Sequence, residues 1–150
     1  MELTVTEAEK LKEKPDQSKL GFGTLFTDHM FIMDYTPDKQ WHAFRIEPYA
    51  PMALDPSTMF LHYAQGAFEG LKAYRTDSGN IQLFRPQENF KRLNRSCRRL
   101  CMPEIDEDLA LNHLKQLLIM EKDWVPGEPE TSLYIRPTLI ATDPYIGVRA

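Results

Sequence analysis

Three groups of side chains in this sequence have the types and spacing that chemistry needs. The first follows Pro86, where Lys91, Arg92, Arg95, Arg98 and Arg99 wind around an apolar stripe of Phe90, Leu93 and Cys97 at helical spacing. Such a run is either a solvated basic face or an anion site. Arg92 adjoins Leu93, and a half-buried guanidinium there needs a negative partner. Its paired donors suit a phosphate. A nucleic-acid surface is a third reading, weakened by the acidic balance of the chain and the lack of aromatic residues between the basic ones. The second group is Gly66-Ala67-Phe68-Glu69-Gly70. A glycine just before a strand marks close approach of the backbone to a ligand, or else an ordinary turn beside a core phenylalanine. The third is Ser132-Leu133-Tyr134-Ile135-Arg136-Pro137. Strand alternation puts Tyr134 and Arg136 on one face, and an arginine projecting from an interior strand takes either a carboxylate ligand or an internal salt bridge.

Other reactive side chains point to less. Cys97 and Cys101 stand four apart in one expected helix, a spacing that strains a disulfide, so they read as half-buried core thiols in a reducing cytoplasm. Histidines 29, 42, 62 and 113 are scattered, and none pairs with another ligand at metal spacing, so no metal is expected. Lys72 lies beside the glycine-bracketed run and reads as a surface or salt-bridged lysine.

These groups need elements to hold them. A short polar helix is expected over residues 6–13, ended by Pro15, and 14–23 reads as a mobile lead-in. Residues 30–35 and 41–46 flank Thr36-Pro37-Asp38-Lys39 and predict a hairpin. A short helix fits 57–66. A second hairpin joins 71–75 to 81–84. Helices follow over 86–100 and from Asp106, a capping residue, with Leu111, Leu114, Leu117 and Leu118 as the buried stripe of the latter. One strand covers 132–141. Strands joined by tight turns run antiparallel, and two consecutive helices cover one face, which predicts an α+β fold. No βαβ alternation and no glycine-rich phosphate loop appears.

Composition sets the frame. The chain has 150 residues, 42% hydrophobic and 27% charged, with net charge -4. One domain with a real core fits that length, and nothing in the charge favours nucleic acid or an anionic membrane. Apolar runs fall far short of the roughly 20 residues of a membrane span. Residues 1–10 lack a signal core and are too acidic for an organelle-import leader. After the last strand no closing helix follows, so the chain reads as truncated inside a larger architecture, with apolar area exposed near the pocket face and the chain end and a tendency to self-associate.

The chemical groups recur in an order that carries a resemblance. The runs are Gly23-Thr24-Leu25-Phe26-Thr27-Asp28-His29-Met30, Phe68-Glu69-Gly70-Leu71-Lys72-Ala73-Tyr74, Leu83-Phe84-Arg85-Pro86 with Asn89 and Arg92-Leu93, and the 132–137 run. Over residues 21–148 the chain resembles the branched-chain amino-acid aminotransferases among the fold-type IV pyridoxal-phosphate enzymes. The first run favours that subgroup over D-amino-acid aminotransferases and aminodeoxychorismate lyases. The resemblance implies that 23–150 is the small N-terminal domain, preceded by a flexible lead-in over 1–22, with the large domain absent.

The resemblance also implies roles. Arg92 would bind the phosphate of pyridoxal 5'-phosphate. Phe68 and Tyr134 would line the pocket for an aliphatic side chain, and Gly70 would let backbone approach the substrate. Tyr63 and Val148 would complete the pocket of the neighbouring subunit in a homodimer. Arg136, helped by Tyr63, would meet the distal carboxylate of glutamate. The substrates would be leucine, isoleucine or valine with glutamate and 2-oxoglutarate. No catalytic residue would lie in this chain, because the Schiff-base lysine belongs to the large domain and Lys72 does not hold its position. The chain alone would then be inactive and bind the cofactor weakly or not at all. The competing expectation is a free-standing module in which Arg92 and Arg136 hold a small phosphorylated or carboxylated ligand without catalysis.

Overall fold

Residues 2–147 are described by a computed structural model. The chain opens with β1 (Thr4–Val5), which pairs parallel with β3 (Gln40–Pro48). The helix expected over 6–13 does not form. The backbone donors it would need go to groups far along the chain. Thr6 donates to the carbonyl of Ile46 at 2.9 Å, Ala8 to His29 Nε2 at 2.9 Å, and Lys12 to Asp28 Oδ1 at 2.8 Å. A segment whose N–H groups are claimed elsewhere has no reason to coil.

The turn at Thr36-Pro37-Asp38-Lys39 does what its residues predict. It joins β2 (His29–Thr36) to β3 as an antiparallel hairpin, with Phe31 opposite Ile46 and Tyr35 opposite Trp41. After α1 (Met59–Tyr63) comes β4 (Gly66–Phe68), a strand hidden from sequence reading by its shortness and its leading glycine. The second hairpin pairs β5 (Leu71–Arg75) with β6 (Ile81–Leu83). Pro86 opens α2 (Pro86–Arg99), and Asp106 caps α3 (Glu107–Met120) by accepting from the N–H of Leu109 at 2.9 Å.

The single strand expected over 132–141 is in fact two, β7 (Leu133–Ile135) and β8 (Thr138–Ile140). Pro137 separates them, because it has no N–H to give a ladder. Its carbonyl instead accepts from the N–H of Glu69 at 2.9 Å. The chain changes sheets there, β7 pairing with β5 and β8 with β4, both antiparallel. Three small sheets result, ordered β1-β3-β2, β4-β8 and β6-β5-β7. The architecture is α+β, and its hairpins are antiparallel as expected. β7 lies at a sheet edge, so Tyr134 and Arg136 do not stand on an interior strand.

The two long helices pack on each other, α2 also on β4 and α3 on β2. Their shared core joins Phe90, Leu93 and Cys97 of α2 to Leu111, Leu114 and Leu118 of α3, with Leu71 and Ala73 of β5 beneath. Leu117 is only half-buried, and Ala110 and His113 take the inner face with the other leucines. Cys101 departs from expectation. It lies past the end of α2 with φ of 54° and is exposed, so it shares no helix face with buried Cys97.

His113 sits inside, its ring between Phe31 and Phe44 at 5.0 and 5.1 Å. Neither ring nitrogen has a hydrogen-bond partner. Burial lowers its pKa from the ordinary 6.5. The unfolded chain therefore binds a proton that the folded chain refuses, and stability falls as pH drops below that value, by at most about 1.4 kcal/mol per pH unit. His113→Phe should flatten that acid limb and leave or raise stability at neutral pH, read from urea midpoints between pH 5 and 8. An unchanged slope would show that other groups set the limb.

Behind the hairpin lies a buried polar network. Glu121, 2% exposed, accepts from the backbone N–H groups of Asp28 and His29 at 3.0 and 3.1 Å, and from the Nδ1 of His29. Asp28 accepts from Lys14 Nζ and from Trp124 Nε1, each at 2.7 Å. No described helix is long and apolar enough to cross a membrane, and no described cluster of His, Cys, Asp and Glu could hold a metal ion.

Candidate functional site

The turn between β4 and β5 places Glu69 and Gly70 where three elements meet. Glu69 has a side chain only 4% exposed, and a buried carboxylate needs donors. It has four. Arg92 gives Nε at 2.5 Å and Nη2 at 2.6 Å. Asn89, one turn earlier on α2, gives Nδ2 at 3.2 Å, and the N–H of Gly70 lies at 3.3 Å. Asn89 also donates to the Gly70 carbonyl at 3.1 Å, tying helix to turn. The Arg92 hydrogen bond leads the effects on Glu69, and despite burial it holds the carboxyl below the ordinary carboxylate range. Glu69 in turn raises the Arg92 guanidinium. The arginine stays 59% exposed beyond the pair. Its negative partner is thus identified, and its outer edge still faces solvent.

A second arm begins at Gly70. A Cβ there would overlap the Tyr134 hydroxyl and lie 2.9 Å from its Cζ. The close approach that this glycine permits is therefore to Tyr134. Arg136 Nη2 donates to the Tyr134 hydroxyl at 2.8 Å, and its guanidinium stacks 4.3 Å from the Phe68 ring and 5.1 Å from that of Tyr134. Phe22 meets Tyr134 edge-on at 5.1 Å. Phe68 is 62% exposed, which overturns its reading as a core residue. An arginine between two aromatic faces, with no carboxylate partner recorded among the described residues, can take a ligand carboxylate while the rings offer apolar walls.

The structure thus brings together Arg92, Phe68, Gly70, Tyr134 and Arg136. Tyr63 is not among them. It ends α1, is 43% exposed, and has His62 as its ring neighbour. Val148 lies outside the described residues. Lys72 is exposed opposite Tyr134 in the β5–β7 ladder. An open groove of about 410 Å³ lined by Tyr74, Gln82, Leu83 and Phe84 runs along β5 and β6 instead. Sequence reading missed Glu69 and Phe22 as members of the site. Glu69 stood inside the glycine-bracketed run, the one available signal, whereas Phe22 fell in a stretch read as lead-in.

No protein-family model matches the chain. It is 63% identical over 139 residues, 93% of its length, to branched-chain-amino-acid transaminase 1 of Bacillus subtilis, and 53% identical over all 150 residues to branched-chain-amino-acid aminotransferase 2 of the same organism. The chain belongs to the branched-chain amino-acid aminotransferases. It spans 39% and 40% of the length of these two relatives. Among solved structures, a branched-chain amino acid aminotransferase complexed with N-(5'-phosphopyridoxyl)-L-glutamate matches with TM-score 0.51 and 27% identity, covering 64% of this chain and 29% of that one. The Escherichia coli branched-chain aminotransferase shares the fold, with TM-score 0.53 over 65% of this chain and 31% of that one, at 23% identity.

Proposed function

We propose that this chain is the small N-terminal domain of a transaminase that moves the amino group between leucine, isoleucine or valine and 2-oxoglutarate, using pyridoxal 5'-phosphate. The observation that carries the reading is 63% identity to a branched-chain-amino-acid transaminase across nearly the whole chain. The site geometry supports it. A cofactor phosphate fits the outer edge of Arg92, an exposed guanidinium whose opposite edge is already satisfied by a buried carboxylate. When bound, the cofactor supplies the carbonyl carbon that carries the amino group between substrates.

The residues of this chain bind and orient. Arg92 neutralises and places the phosphate. Phe68 and Tyr134 form apolar walls for a branched side chain. Arg136 can swing from its stacked position to meet the second carboxylate of glutamate, so one pocket serves both half-reactions. Tyr63 and Val148 contribute to the pocket of a neighbouring subunit in a homodimer, which agrees with the separation of Tyr63 from the cluster. The Schiff-base lysine belongs to a domain beyond this chain, and the working protein is cytoplasmic, with no nucleic-acid or membrane partner.

Two measurements test this. In the full-length protein, Arg92→Ala should raise the dissociation constant for pyridoxal phosphate about 10- to 100-fold, the equivalent of about 1.5–3 kcal/mol for hydrogen bonds to a charged group. An unchanged constant would remove Arg92 from the phosphate site. For the 150-residue chain alone, incubation with pyridoxal phosphate followed by borohydride and intact-mass analysis should show no specific adduct. A stoichiometric adduct on Lys72 would overturn the division of labour between domains.

A further inference from the structure

We propose that Glu69 is a positioning residue that aims Arg92 at the cofactor phosphate, an inference that rests on the reading of Arg92 as the phosphate ligand. A guanidinium offers five N–H donors on a rigid plane, arranged on two usable edges. Glu69 occupies the side edge, Nε with Nη2, at 2.5 and 2.6 Å. That leaves the end edge, Nη1 with the second Nη2 hydrogen, as a parallel pair of donors. The plane of the guanidinium, and so the direction of that pair, is set by Glu69.

Glu69 can act as a fixed reference because it is itself held. Its carboxylate accepts from Asn89 Nδ2 and the Gly70 N–H, and its backbone N–H is anchored on the carbonyl of Pro137 at 2.9 Å. Little of its side chain meets water. Without it, Arg92 is a long exposed side chain on a helix face, free to sample many rotamers, and ordering it would fall on the binding step. The electrostatic effect of Glu69 has the opposite sign. Its negative charge lies close to where the phosphate sits, and on that account alone it weakens binding. The direction of change on removing the charge therefore decides between a residue that positions and one that competes.

The test uses the full-length protein with pyridoxal 5'-phosphate as the probe. Glu69→Gln keeps the shape and loses the charge. It should raise the dissociation constant for pyridoxal phosphate about tenfold and speed rotation of the Arg92 guanidinium in ¹⁵N spectra. Glu69→Asp should recover part of the affinity. An unchanged or lowered constant in Glu69→Gln, with Arg92→Ala still damaging, overturns the positioning role alone. No effect of Arg92→Ala overturns the underlying reading of Arg92. A measurement on the unaltered protein guards against a variant that fails to fold. In the cofactor-free state, the Arg92 Nε–H should be ordered and slow to exchange, in contrast to exposed Arg95. Equal mobility of the two overturns the proposal.

Discussion

Glu121→Ala should lower the stability of the fold by about 3–5 kcal/mol, the usual cost of removing one partner from a buried charged network. Glu121 closes the end of α3 against the start of β2, joining residues more than ninety positions apart. Alanine would leave the N–H groups of Asp28 and His29 and the Nδ1 proton of His29 buried without acceptors. The ring cannot turn to compensate, because Nε2 already accepts from the N–H of Ala8. The loss would spread to the N-terminal segment. Burial tends to raise the pKa of Asp28, yet hydrogen bonds from Lys14, Lys12 and Trp124 and the Lys14 charge bring it down to about 2. The stability this gives is present above the ordinary 3.8 and lost as pH falls through about 2. Urea denaturation of the variant at neutral pH measures the first effect. A loss under about 1 kcal/mol, the net worth of a single ordinary hydrogen bond, would mean that the network is replaceable by water.

On the proposed function, Gly70→Ala should cost the full-length protein about 100-fold in kcat/KM, the scale of a misplacement of about 1 Å near the reacting groups. The added methyl claims the space of the Tyr134 hydroxyl. Tyr134 lies at a half-open edge and can swing away, so the expected fold penalty is small. The displaced ring would give up its hydrogen bond from Arg136 and its edge contact with Phe22. The arginine would lose its rest position between two aromatic faces, and the pocket wall would move with it. Cofactor affinity should change less, since the substitution keeps the backbone N–H that donates to Glu69 and the carbonyl that accepts from Asn89. Gly70→Ala combined with Tyr134→Phe should recover part of the loss, because it removes the nearest of the colliding atoms, the hydroxyl, and leaves only the milder overlap with the ring. A single variant with wild-type kinetics would show that Tyr134 does not shape the pocket.

What sequence reading reached and missed follows from how far apart the interacting groups lie. The hairpins were legible because Thr36-Pro37-Asp38-Lys39 and the run from Thr76 to Asn80 state a reversal within a few residues. The helices were legible because Pro86 and Asp106 mark their starts, and apolar spacing carries them to their ends. The segment over 6–13 looked helical by its own composition, but its backbone donors are taken by Asp28, His29 and Ile46, which no local pattern announces. Pro137 did signal its break, since it cannot join a ladder, and the β-forming residues around it masked the signal. In the site, Arg92 was recognised as needing a negative partner. That the partner is Glu69, 23 positions earlier, depends on how α2 lies over the β4–β5 turn.

The two thiols give the fold an internal clock. Cys101 is exposed, while Cys97 is fully enclosed and its thiol is pushed up by burial. A thiol-specific reagent would modify the first at its intrinsic rate. It reaches the second only when α2 lifts from α3, and if reclosing outpaces labelling, that rate reports an opening equilibrium. Because both cysteines share one molecule, reagent strength and temperature act on them alike. The ratio of their labelling rates would then follow how often the helix pair breathes, in this chain alone and again in the full-length protein.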